Sequence, residues 1–125
     1  MYKAELINGT RKLTKRETIR IKDYSSFQKL KDMPDNAIIE NVTGLFVVHV
    51  ENDKSDSGKY DTFVIEVGNG DNYIYTASQP FRDSLEDILN EFIDESGYPT
   101  EQIDIQVKRF PSKNNSGSIS KAVLV

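Results

Sequence analysis

The chain has 125 residues, with 16 Lys+Arg against 20 Asp+Glu and a formal charge of −4. That length suits one domain with its own core, and the absence of cysteine removes disulfides, thiol catalysis and thiolate metal sites. No apolar run approaches the roughly 18 residues of a membrane span, no signal peptide is read at Met1-Tyr2-Lys3-Ala4, and the acidic balance argues against a uniformly basic nucleic-acid binder, so a cytoplasmic protein is expected.

Strand signals dominate from the start. Tyr2–Ile7 and Thr18–Lys22 are short alternating runs, separated by Asn8-Gly9-Thr10 and a basic stretch, and are expected to pair as a hairpin. Tyr24–Asp35 is a polar connector ending in the turn Met33-Pro34-Asp35-Asn36. Ala37–Val50 reads as a long strand interrupted by Gly44, where a bend lets one strand serve two sheets. Glu51–Lys59 has no apolar residue and is a polar loop. Tyr60–Val67 alternates, with Phe63, Ile65 and Val67 on one face and Tyr60, Thr62, Val64 and Glu66 on the other. After the turn Gly68-Asn69-Gly70-Asp71, Asn72–Ala77 is a third strand with Tyr73 and Tyr75 on a shared face.

One helix follows, with Ser78 or Gln79 as cap, Pro80 in the first turn and the stripe Phe81, Leu85, Ile88, Leu89, Phe92 and Ile93. Gly97 and Pro99 end it. Gln102–Arg109 alternates again, Phe110–Gly117 is a loop, and Ser118–Leu124 is the last strand. The fold class is therefore mostly β with one helix. The order β-β-β-α-β-β is that of the OB-fold, a five-stranded Greek-key barrel, here preceded by a basic β-hairpin. Residues 1–35 are read as hairpin and connector and residues 36–125 as the barrel, within one domain overall.

Charge is segregated along the chain. Residues 1–31 hold nine Lys or Arg and three acids, a balance of +6, whereas Asp83–Asp104 carries eight acids and no Lys or Arg. Such asymmetry points to a polyanion partner. Catalytic chemistry finds little support, and no metal or cofactor is expected. His49 is the only histidine and sits mid-strand in an apolar run, where a packed or edge-exposed imidazole is the ordinary outcome. The i,i+4 pairs Asp83/Asp87 and Glu91/Glu95 are what most acidic helix faces show, and Gly68-Asn69-Gly70 precedes a strand rather than a phosphate-binding helix N-terminus.

Single-stranded DNA needs a groove of positive potential and aromatic rings for base stacking. Tyr60, Tyr73 and Tyr75 lie on adjacent strands, and core or cross-strand packing is the competing reading for each. Phe110 stands among Lys108, Arg109 and Lys113, and Lys54 and Lys59 flank the other loop that OB-folds use for oligonucleotides. These nine residues are the expected contacts to single-stranded DNA. The alternative reading is an acidic OB-like module that docks a protein, with the tyrosines packed.

The segment Ser26-Phe27-Gln28-Lys29-Leu30-Lys31-Asp32-Met33-Pro34-Asp35-Asn36-Ala37-Ile38-Ile39-Glu40 resembles the small single-stranded-DNA-binding proteins of tailed phages with protein-primed replication. Similarity continues at Gly70-Asp71-Asn72-Tyr73-Ile74-Tyr75-Thr76-Ala77-Ser78, in the helix, and in the Ile-Asp-Ile-Gln-Val strand with its Ser/Lys/Asn/Gly loop. The collinear order, over residues 26–125, carries the resemblance rather than any one motif. It implies an OB-fold protein that coats displaced strands, with Tyr75 at a stacking position. Val47 or Val48 and Lys54 stand where that family has other aromatics, so stacking is expected at Tyr60, Tyr73 or Phe110 instead. N-terminal segments in the family influence self-association, and similar binders occur on conjugative plasmids.

Overall fold

The computed structural model describes residues 2–52, 58–111 and 118–125. Along the chain lie β1 (Tyr2–Gly9), α1 (Lys15–Lys22), β2 (Gln28–Lys29), β3 (Ile38–Ile39), β4 (Val42–Asn52), β5 (Lys59–Val67), β6 (Asn72–Thr76), α2 (Gln79–Phe92), β7 (Ile105–Pro111) and β8 (Ser118–Leu124), with single 3₁₀ turns at Tyr24–Ser26 and Leu30–Asp32. The strands form a five-stranded sheet in the order β1-β4-β5-β6-β2 and a three-stranded sheet in the order β3-β7-β8. The mostly-β class holds, with two helices where one was expected.

The N-terminal hairpin is not formed. β1 pairs antiparallel with β4, from Tyr2 opposite Asn52 to Gly9 opposite Phe46, and Thr18–Lys22 belongs to α1. Local chemistry decides the helix. Thr14 Oγ1 accepts from the Glu17 amide at 3.1 Å, and Glu17 Oε1 accepts from the Thr14 amide at 3.0 Å. Together they satisfy two of the donors that a helix start leaves unpaired.

Ala37–Val50 does serve two sheets, but the break falls at Asn41, whose φ is 58°. Ile38 and Ile39 pair with Gln106 and Ile105 in the small sheet, and β4 then pairs with β1 and β5 in the large one. Gly44 marks an irregular register between β4 and β5. A Cβ there would lie 2.9 Å from the Phe46 ring and 3.1 Å from both Arg11 Nη1 and Glu66 Oε1, so the strand has to approach these groups without a side chain.

Among the described strands the sheets stay open rather than closing into a barrel. The edge of β6 is taken by β2 in parallel pairing, Gln28 opposite Ile74 and Lys29 opposite Tyr75. That pairing engages backbone groups on the edge of β6 that would otherwise lack strand partners.

Both faces of the large sheet are covered. On one side Leu45, Val47, Phe63, Ile65 and Ile74 pack against α2 and the small sheet. The helix begins at Ser78, whose Oγ accepts from the Phe81 amide at 3.3 Å, and it buries Phe81, Leu85 and Leu89. Burial of each such side chain contributes about 1.5–3 kcal/mol. Ser84 Oγ accepts from the Ala122 amide at 2.8 Å and ties α2 to β8. On the other side Phe46, Val48, Val50, Val64 and Tyr73 are covered by Ile21 and Tyr24, with Leu13 and Phe27 packed alongside.

Candidate nucleic-acid interface

Period-two alternation puts Tyr60, Tyr73 and Tyr75 on one face of the large sheet, as expected, but residues 10–27 lie over that face. Tyr73 is only 2% exposed. Phe27 stacks on its ring at 4.8 Å between centroids and 26° between planes, and the Arg20 guanidinium stands 4.9 Å from the ring centroid. In this arrangement Tyr73 offers no face to a base, which corrects its expected role as a stacking platform. Burial is the main cause that holds its hydroxyl above the ordinary tyrosine pKa.

Tyr60 is half-buried, and its hydroxyl lies 2.7 Å from that of Tyr24. This hydrogen bond, followed by burial, pushes the Tyr60 pKa up to about 12. Its polar end is thus engaged within the protein. Tyr75 keeps an accessible side: it meets Tyr24 edge-on at 5.3 Å and 66°. With Lys29, Lys31, Thr76 and Ala77 it lines a cleft of about 230 Å³. Both lysines are exposed on either side of the buried Leu30: Lys29 ends β2, Lys31 lies in the 3₁₀ turn that follows, and both line the same cleft.

What holds the cover down is a buried ion pair. Arg11, in the link between β1 and α1, donates from Nη1 and Nη2 to the two carboxylate oxygens of Glu66 on β5, at 2.5 and 2.7 Å. Glu66 is fully buried and also accepts from Thr43 Oγ1 at 2.8 Å. The same guanidinium reaches Glu17 Oε2 at 3.1 Å and stands 4.5 Å from the Tyr98 ring centroid. The Glu66 hydrogen bond, with Coulomb attraction to the same carboxylate, outweighs desolvation and raises the Arg11 pKa further above its ordinary value. The Glu17 carboxyl is held below the usual carboxylate range, chiefly by the Thr14 backbone amide.

The remaining expected contacts lie elsewhere. Phe110, 46% exposed, lies one residue before the end of β7, opposite Ile119, with Lys121 Nζ at 5.9 Å from its ring centroid. Lys108 donates to Asn36 Oδ1 at 2.5 Å. Arg109 donates to the carbonyls of Met33 and Leu30 at 2.6 and 2.9 Å, so it fastens the connector to the small sheet rather than reaching outward. Lys59 is exposed at the start of β5, 3.8 Å from Glu51. Lys54 and Lys113 lie outside the described residues. His49 is half-exposed on β4, with Nδ1 2.8 Å from Asp61 Oδ1.

Tyr75 and Phe110 therefore sit on different sheets, while Tyr60 and Tyr73 are engaged beneath the N-terminal segment. Lys29 and Lys31 were missed as partners of Tyr75, Tyr24 as its edge-on neighbour, and Phe27 as the ring stacked on Tyr73. The signal for the cover was present: Thr14-Lys15-Arg16-Glu17 has the spacing of a capping box, with Leu13 just before it and Ile21 and Tyr24 three residues apart after it. Comparison with models of known protein families, with curated proteins and with solved structures finds no match.

Proposed function

We propose that this chain is a non-sequence-specific single-stranded-DNA-binding protein that coats displaced strands during replication or transfer of a phage or mobile element. The observation that carries the reading is the Tyr75 cleft, which an accessible aromatic ring lines together with Lys29 and Lys31. A ring for the base and cations for the phosphates are the two parts such binding needs. The resemblance of residues 26–125 to the phage family supports it, because Tyr75 falls on a stacking position there.

An OB-type topology is part of the same proposal. The order β4-β5-β6-α2-β7-β8 is β-β-β-α-β-β, and residues 38–52 contribute to both sheets. The open seam beside β6 holds β2, which brings Lys29 to Tyr75.

Titration with oligo-dT, read by tyrosine quenching over a salt series, tests the reading. Affinity falls as salt rises, because phosphate contacts release counterions. Tyr75→Ala weakens binding by about 1–3 kcal/mol with the fold unchanged. No binding at low salt would sink the proposal. The burial of Tyr73 and the Tyr24–Tyr60 hydrogen bond favour a second reading, a protein-docking module. That reading gains ground if Tyr75→Ala leaves DNA affinity unchanged.

A further inference from the structure

Of the cations on α1, Arg20 stands over the Tyr73 ring, while Lys15 and Arg16 are exposed and form no ion pair among the described residues. Lys15 and Arg16 occupy the first turn, at the positive end of the helix dipole, where cations are disfavoured. Arg16 and Arg20 stand four residues apart, a like-charge spacing that weakens a helix. In a chain with 20 carboxylates, none of Lys12, Lys15, Arg16, Arg20 and Lys22 forms an ion pair among the described residues. The one acid in the helix, Glu17, turns toward Arg11 and Thr14. Elsewhere cations are engaged: Arg82 with Glu86 at 2.8 Å, Arg109 with two carbonyls.

Lys12, Lys15, Arg16 and Arg20 are all exposed, and Ile19 stands among them 69% exposed. The inner side of the same segment is fixed, since Ile21 is fully buried and Arg20 and Phe27 close over Tyr73. Access to Tyr73 from outside would require opening the second core.

We propose that the outer face of α1 is a phosphate track for the strand that stacks on Tyr75, so that single-stranded DNA passes over the N-terminal segment rather than beneath it. This inference rests on the single-strand reading above. Lys15 and Arg16 contact phosphates, Ile19 offers an apolar surface between them and Lys22, and Lys29 and Lys31 continue the positive path into the Tyr75 cleft. The basic N-terminal segment thereby acts as cover for one face and as binding surface on its other side.

The test compares oligo-dT affinity between about 50 and 200 mM salt for the wild type and Lys15→Ala/Arg16→Ala. Alanine at these exposed positions keeps the helix, which circular dichroism verifies. Loss of two phosphate contacts lowers the salt slope by about 1.4. Wild-type affinity should therefore drop about sevenfold more than the variant's across that range. Asn90→Glu/Thr100→Glu matches the net charge change, from −4 to −6, at positions outside α1 and should keep the wild-type slope. If Lys15→Ala/Arg16→Ala keeps wild-type affinity and slope while Tyr75→Ala weakens binding, the track is overturned and the Tyr75 site stands. An equally flattened slope in the charge-matched control also overturns the track. If the wild type does not bind oligo-dT, the single-strand reading falls and the track with it.

Discussion

The two faces of the large sheet are covered by different chemistry. Toward α2 and the small sheet the core is made of aliphatic side chains and phenylalanines, such as Leu45, Ile65, Leu85 and Phe81. Toward α1 it includes Tyr24 and Tyr73 and borders the Arg11–Glu66 pair. Hydrophobic burial is non-directional, so the first face tolerates any cover of suitable shape. The second is tied by directional contacts: a two-pronged ion pair, a tyrosine–tyrosine hydrogen bond and a guanidinium over an aromatic ring. Such contacts fix one placement of residues 10–27 and lose much of their value if it shifts.

The largest expected effect comes from breaking that tie. Arg11→Met leaves the Glu66 carboxylate buried without its cation and costs about 3–5 kcal/mol, read from urea unfolding. Replacing both partners, Arg11→Met with Glu66→Leu, should recover most of the loss. If the double variant is no more stable than Arg11→Met alone, the pair is not what couples cover to sheet.

On the opposite face, Leu85→Ala opens a cavity in the aliphatic core and costs about 2–5 kcal/mol. Leu85 and Arg11 lie on opposite sides of the sheet, so the two losses should add to within about 0.5 kcal/mol. A clear departure from additivity would mean that the two faces do not act independently.

The smallest effect concerns the tyrosine pair. Tyr60→Phe removes one hydrogen bond and costs about 0.5–1.5 kcal/mol at neutral pH. Because the folded-state pKa of Tyr60 is raised from 10.0 to about 12, folding favours the neutral phenol. Its stabilisation is complete below pH 10 and is lost as pH climbs toward 12. Between those values the urea midpoint of the wild type should fall more than that of Tyr60→Phe. Equal falls would remove Tyr60 as the source.

Much of the fold was legible because its signals are local. Ser78, Pro80 and the stripe from Phe81 to Ile93 define α2 without reference to the rest of the chain. The alternation in 60–67 and 102–109 assigns faces to β5 and β7 in the same way, since side chains in a strand alternate whatever the partner. Alternation also put the three tyrosines on one side. It could not say what would lie against that side.

The sequence by itself determined the strand-rich class, the acidic helix, the turn at 68–71 and the segregation of basic from acidic charge. Tertiary structure alone decided that β2 sits beside β6, that the sheets stay open, and that residues 10–27 cover Tyr73 and leave Tyr75 at a cleft with Lys29 and Lys31. The physical reason is range. Caps, turns and periodicity act over a few residues and are written next to one another in the chain. The choice of cover depends on contacts such as Arg11 with Glu66, 55 residues apart, whose value exists only once both faces have been built.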